Sequence, residues 1–192
     1  MVDALQLRNY ALLGISQGAA IAIAHALHYP DRVSKLVLNG AYAVRASKRG
    51  SLRDQEISQA YMTLMRHGWG DEHSSFLRTF GTLYFPGASG EEIKSLAQLQ
   101  RMAMSAEAAV KLRNVCAEID VLDLLPKVTA PTLVLHSTHD NAVPFEEGRR
   151  LAALIPNARF VALKSQNHVP MPDEPAWPQF ITEIEAFLSE PG

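Results

Sequence analysis

The sequence holds a single cysteine, Cys116, among 192 residues, so no disulfide can form within the chain. Secreted domains often depend on such bridges, and their absence fits a reducing, cytoplasmic setting. A basic excess is also missing. Lys and Arg number 18 against 20 Asp and Glu, for a net charge of −2, whereas chains that bind nucleic acid usually carry a strong positive surplus. No nucleic-acid partner is expected. Long hydrophobic runs are lacking too. The longest small apolar stretch, residues 19–24, ends at His25, far short of the ~20 residues that a membrane span needs. Met1-Val2-Asp3-Ala4 does not open a basic leader backed by an apolar run, so no signal peptide and no membrane partner are expected. What is present is 47% apolar residues, the level of a folded domain with one sizeable core.

The pattern along the chain divides into three parts. In residues 1–43, Tyr10-Ala11-Leu12-Leu13 is a short apolar run ended by Gly14, and residues 17–29 are alanine-rich and stopped by Pro30. Lys35-Leu36-Val37-Leu38 is a second apolar run, closed by Asn39-Gly40. Residues 44–125 are dominated by good helix formers. There Leu96, Leu99, Met102 and Met104, and then Val110, Leu112 and Val115, suggest amphipathic helices. Residues 126–192 return to alternation: a strand at Pro131-Thr132-Leu133-Val134-Leu135-His136, a helix over 145–154, a strand over 158–163 and a helix over 175–188. Continuous apolar runs alternating with helices predict an α/β chain whose parallel sheet is covered on both faces. On this reading 1–43 and 126–192 form the core and 44–125 an inserted helical segment.

Gly14-Ile15-Ser16-Gln17-Gly18 has the form G-x-S-x-G and sits between an apolar strand and a small-residue helix. That is the context of a nucleophile elbow, a tight turn that lifts a serine hydroxyl clear of the sheet. A serine needs a base to take its proton, and the base needs an acid to orient it. Asp140 follows the strand ending near His136, and His168 follows the strand over 158–163. Both fall just past the carboxyl ends of strands, where open α/β sheets build their sites, and the order Ser, Asp, His is the one this architecture uses.

These residues make the chain resemble the α/β-hydrolase family. Tyr29-Pro30-Asp31-Arg32-Val33, Pro131-Thr132-Leu133-Val134-Leu135, His139-Asp140-Asn141-Ala142-Val143-Pro144 and Asn167-His168 carry the likeness alongside the elbow. The resemblance implies a serine hydrolase acting on a small ester or related acyl substrate, with Ser16 as nucleophile, His168 as general base and Asp140 as the orienting acid. It implies that the Gln17 backbone N–H serves the oxyanion hole, and it requires no metal or organic cofactor. Some members carry the acid after the second strand seen here. Asn39 occupies that region, and a neutral amide cannot stabilise an imidazolium as a carboxylate does. In the family several strands precede the elbow, and one of their loops gives a second oxyanion donor. Only thirteen residues precede Gly14, so the fold class expected is a partial α/β-hydrolase fold, truncated at its N-terminus, with a mostly parallel sheet, flanking helices and a helical lid over 44–125.

Gly68-Trp69-Gly70, Phe85-Pro86-Gly87-Ala88, Leu99-Gln100-Arg101 and Pro144-Phe145-Glu146-Glu147-Gly148-Arg149 look like hydrolase domains of bacterial signalling proteins, similar to those attached to adenylate cyclases or DNA-binding regulators. That likeness implies the rival reading, a non-catalytic or weakly active ligand-binding or interaction domain. An uncovered strand at residues 10–13, without charge or proline, predicts self-association as a dimer through residues 1–13. Elsewhere, His136, His139 and Asp140 are read as a strand end and loop before a metal site. His25 and His28 are read as a solvent-facing helix edge, and Arg45, Lys48, Arg49 and Arg53 as a solvated basic face. Cys116 is expected to be buried, and Trp69, Phe76, Phe80, Tyr84 and Phe85 to form helical core.

Overall fold

Four of the apolar runs become one four-stranded sheet: β1 (Tyr10–Ile15), β2 (Val33–Asn39), β3 (Thr132–Ser137) and β4 (Arg159–Leu163). The computed structural model describes residues 2–45, 52–71 and 75–191. The strands lie in chain order and every neighbouring pair is parallel. In register, Ile15 faces Asn39, Asn39 faces Leu135 and Leu135 faces Val161. The carboxyl ends are therefore level across the sheet, and β3 runs two residues further to Ser137.

Burial follows position in the sheet. The central strand β3 is buried at every residue and β2 at nearly every one, as expected for parallel strands covered on both faces. β1 is the exception, and residues 10–13 were expected to be uncovered. Among the described residues it pairs only with β2, and Ala11, Leu13 and Ile15 are exposed, Leu13 by 54%. Strand side chains alternate between faces, so one whole face of β1 is uncovered.

Helices fill the crossovers. α1 (Gly18–His28) packs on β1 and β2 through Ala19, Ala20, Ala22, Ile23 and Ala26, whose small side chains let the backbones approach. It stops before Pro30, with the Tyr29 N–H bonded to the His25 carbonyl. His25 is not a free edge residue: its Nε2 pairs with the Tyr10 hydroxyl at 2.7 Å, and its ring stacks near Tyr29. The chain's last helix, Ala176–Ser189, lays Phe180 and Phe187 onto Val37, Leu133, Leu135 and Leu163. Burying each phenylalanine contributes about 1.5–3 kcal/mol.

The contacts divide the chain into two compact units, 1–43 with 121–192, and 44–120. The second unit contains α2 (Leu52–Gly68), α3 (Phe76–Tyr84), α4 (Gly90–Ala103) and α5 (Ala106–Ala117). Ser89 and Glu92 form a reciprocal capping box at the start of α4. Met65, Trp69, Phe76, Leu77, Phe80 and Ala109 make this unit's core, and the Trp69 indole N–H donates to the Met104 carbonyl at 3.0 Å. Cys116 is a buried free thiol. The stripe expected on α4 is displaced. Ile93 is buried, with Leu96 and Ala97 half-buried, while Leu99 and Met102 are exposed. Steps of three residues fall short of the 3.6-residue turn, so 96, 99 and 102 rotate about 60° per step off the buried face. Met104 lies past the helix end, in extended backbone. Lys48, Arg49 and the side chain of Arg53 lie outside the described residues. Among those described, no helix is long and apolar enough to cross a membrane.

Lys35 ties the last helix to the sheet. It is buried on β2, and its ammonium donates to the carbonyls of Phe187, Leu188 and Glu190. A cation at a helix C-terminus satisfies carbonyls that have no intrahelical partner and opposes the negative end of the helix dipole. Lys35→Met is expected to destabilise the chain by about 1–3 kcal/mol, read as a lowered midpoint in urea. An unchanged midpoint would show that the three contacts contribute nothing net.

Candidate active site

Ser16 is the first residue past β1 and the second before α1. Its φ is +54°, a left-handed conformation uncommon for a non-glycine residue. Its backbone N–H donates to the Asn39 carbonyl at 2.9 Å, and its own carbonyl accepts from the Ala19 N–H at 3.1 Å. The turn is thus pinned on one side to the end of β2 and on the other to the first turn of α1. Gly14 has a steric reason to be there: a Cβ would lie 2.7 Å from the Ala19 Cα, so strand and helix could not meet so closely. Gly18, the other glycine of the motif, has nothing within 4 Å of its Cβ position. Gln17 stands at the N-cap of α1, with its backbone at the positive end of the helix.

Asp140 and His168 meet directly. His168 Nδ1 lies 2.6 Å from Asp140 Oδ2, and both side chains are almost fully buried. The other carboxylate oxygen, Oδ1, accepts the backbone N–H groups of Ala142 at 2.8 Å and Val143 at 3.0 Å. This arrangement fixes the tautomer. A carboxylate oxygen only accepts, so Nδ1 carries a proton, and Nε2 is the nitrogen left to act as a base.

Asn39 and Gly40 join this pair to the serine turn. The Asn39 carbonyl holds Ser16, and its side-chain Nδ2 donates to the His168 carbonyl at 3.3 Å. Asn39 therefore reaches the backbone of the histidine loop and not the imidazole. Gly40 has φ +57°, and a Cβ there would lie 2.6 Å from His168 Cε1. The imidazole thus packs flush against the backbone that follows β2. Glu174 clasps the histidine loop: it accepts from the Ser165 hydroxyl at 2.7 Å, from Asn167 Nδ2 at 3.3 Å and from the Met171 N–H. The Asn39-Gly40 dipeptide at a strand end beside the elbow was the one sequence clue to these supports. Glu174 gave none, because its partners lie in an irregular loop.

His136, His139 and Asp140 do not converge on a common point. His136 is fully buried, with Nε2 3.5 Å from Asp140 Oδ2, whereas His139 is exposed and pairs with the Thr138 hydroxyl at 3.0 Å. Among the described residues, no three His, Cys, Asp or Glu side chains are grouped to hold a metal ion.

The glycine geometry separates three positions that look alike in sequence. Gly14→Ala and Gly40→Ala are each expected to cost about 1–3 kcal/mol through overpacking, with added backbone strain at residue 40. Gly18→Ala is expected to be neutral or to stabilise by up to ~1 kcal/mol. Chemical denaturation of the three variants reads the difference, and equal effects at all three would contradict the steric account.

Comparison with known proteins agrees with this geometry. The pimeloyl-[acyl-carrier protein] methyl ester esterase of Aliivibrio salmonicida is 28% identical over 182 residues, covering 93% of this chain and 68% of that protein. The pyrrolizixenacetamide deacetylase of Xenorhabdus hominickii is 25% identical, covering 97% and 68%. Among solved structures, an esterase from Exiguobacterium antarcticum superposes with a TM-score of 0.83 at 24% identity, covering 98% of this chain and 70% of that one. A thermophilic esterase from Thermogutta terrifontis gives 0.73 at 27% identity, covering 97% and 67%. A family model for the α/β hydrolase fold matches residues 1–175, and with a parallel sheet that brings an elbow serine and an Asp–His pair to the same strand ends, the chain belongs to the α/β-hydrolase family.

Proposed function

We propose that this chain is a serine esterase that hydrolyses a small carboxylic ester through a covalent acyl-enzyme on Ser16. The observation that carries the reading is the left-handed Ser16 turn at the same strand ends as the buried 2.6 Å contact between His168 and Asp140. In the first half-reaction Ser16 Oγ attacks the ester carbonyl while His168 Nε2 takes its proton. Charge develops on the carbonyl oxygen, and the Gln17 N–H donates to it. The tetrahedral intermediate collapses, the C–O bond to the alcohol breaks, and His168 returns the proton to the departing alkoxide. Water then attacks the acyl-serine, His168 takes a proton from it, and collapse releases the carboxylic acid and restores the Ser16 hydroxyl. Asp140 keeps the proton on Nδ1 and stabilises the imidazolium that forms in each half. No step calls on a metal or organic cofactor. The relative named as a methyl ester esterase supports an ester with a small alcohol as leaving group, and the one named as a deacetylase supports a small acyl group.

Hydrolysis of p-nitrophenyl acetate tests this. The unaltered chain is expected to turn it over, and Ser16→Ala and Asp140→Asn to lose at least about 10³-fold in kcat. Absence of turnover in the unaltered chain would favour the rival reading, a ligand-binding or interaction domain.

The reading extends to assembly. We propose that two copies pair through residues 1–13, because β1 has a strand partner on one side only among the described residues and exposes Ala11, Leu13 and Ile15 there. Sedimentation velocity at micromolar concentration is expected to show a dimer that Leu13→Lys dissociates. A monomer for the unaltered chain would overturn it.

A further inference from the structure

We infer that His136 is a positioning residue of the active site, holding the Asp140 carboxylate in place through the backbone of Val143. The inference rests on the esterase reading above and adds a residue to it that touches neither substrate nor serine.

His136 is fully buried on β3, four residues before Asp140. Its Nε2 lies 3.0 Å from the Val143 carbonyl oxygen. A carbonyl only accepts, so Nε2 bears the proton. The backbone N–H of the same residue, Val143, donates to Asp140 Oδ1 at 3.0 Å. One residue is therefore gripped on both sides, its carbonyl oxygen by His136 and its N–H by the carboxylate. Asp140 Oδ2, the oxygen bound to His168, also lies 3.5 Å from His136 Nε2, close enough for a favourable field though too long for a good second bond. The chain of contacts runs from His136 to Val143, to Asp140, to His168.

The helix Phe145–Leu154 is shaped around this ring. A Cβ at Gly148 would sit 2.5 Å from His136 Nδ1 and 2.8 Å from its Cγ. Glycine inside a helix costs about 0.5–1 kcal/mol relative to alanine, so its presence there is explained by the ring it admits. Phe145 meets the imidazole edge-on, with centroids 6.0 Å apart. Nδ1 has no hydrogen-bond partner among the described residues, which suits a bare lone pair and not a second N–H. The charged and titratable groups facing the ring are Asp140, His168 and Glu147. Burial outweighs the Val143 hydrogen bond and the two carboxylates and holds the imidazole below its ordinary value of 6.5, so it is neutral at pH 7.

The test compares His136→Leu, which removes the donor, with His136→Gln, whose amide N–H can reach the place of Nε2–H. On p-nitrophenyl acetate, His136→Leu is expected to lower kcat by about 10- to 100-fold, as small misplacements of catalytic groups do, with KM within about twofold. His136→Gln is expected to restore most of kcat. Folded His136→Leu with full kcat would overturn the proposal, as would equal losses in both variants. Two NMR measurements need no turnover and separate this outcome from failure of the esterase reading. In the unaltered chain, ¹⁵N shifts of His136 should report a neutral Nε2–H tautomer at pH 7, and an Nδ1–H or charged ring would overturn the proposal even if His136→Leu fails to fold. The low-field proton on His168 Nδ1 should be present in the unaltered chain and in His136→Gln, and displaced or lost in His136→Leu. An unmoved resonance in His136→Leu contradicts the positioning role.

Discussion

The hydrogen bond from His168 to Asp140 spans two loops that leave neighbouring strands, so it depends on the register of β3 against β4. Ser137 faces Leu163 at the end of that ladder, and the pairing continues into the loops through Thr138 N–H to the Leu163 carbonyl and His139 N–H to the Ser165 carbonyl. In a parallel pair, a slip of one residue would turn each side chain of β4 to the opposite face and carry the histidine loop with it. The core over the sheet opposes such a slip. Leu133, Leu135 and Leu163 share one apolar cluster with Phe180 and Phe187, and exposing several of these together would cost more than one hydrogen bond returns.

Close approach, more than polar contact, sets the rest of the site. At Gly14, Gly40 and Gly148 a single added carbon would fall within 2.7 Å of the Ala19 backbone, the His168 ring and the His136 ring respectively. Each marks where one element presses on another: helix on strand, imidazole on strand end, helix on imidazole. Ser16 adopts a left-handed φ, and the bonds on either side of it, to Asn39 and Ala19, hold that conformation. The result is a closely packed cluster on the ends of strands, the arrangement that would keep the proposed catalytic groups oriented without reorganisation.

Much of this was legible in the sequence because it is local. Continuous apolar runs at 10–13, 35–38 and 132–136 announce parallel strands, and Gly14 through Gly18 announces the turn. Asp140 and His168 are readable because each follows a strand by a few residues. The rest depends on contacts between segments far apart in the chain. Nothing local distinguishes Gly14 from Gly18, yet only the first meets a helix backbone. Lys35 opens the second apolar run in the sequence, and its purpose appears only when the last helix ends above it, more than 150 residues later. Leu99 and Met102 read as a buried stripe because apolar residues at a spacing of three mimic a helix face. The true face runs through Ile93 and Ala97. The strand at residues 10–13 was expected to be uncovered, and Ala11, Leu13 and Ile15 are exposed.

The central claim is that Ser16 is made nucleophilic by His168, and labelling with a fluorophosphonate probe reads that chemistry without regard to substrate. The account predicts one adduct per chain, mapped by peptide mass spectrometry to Ser16 and abolished in His168→Ala, while the buried fold of that variant persists by circular dichroism. Equal labelling of Ser16 in His168→Ala, or no adduct on the folded unaltered chain, would contradict it.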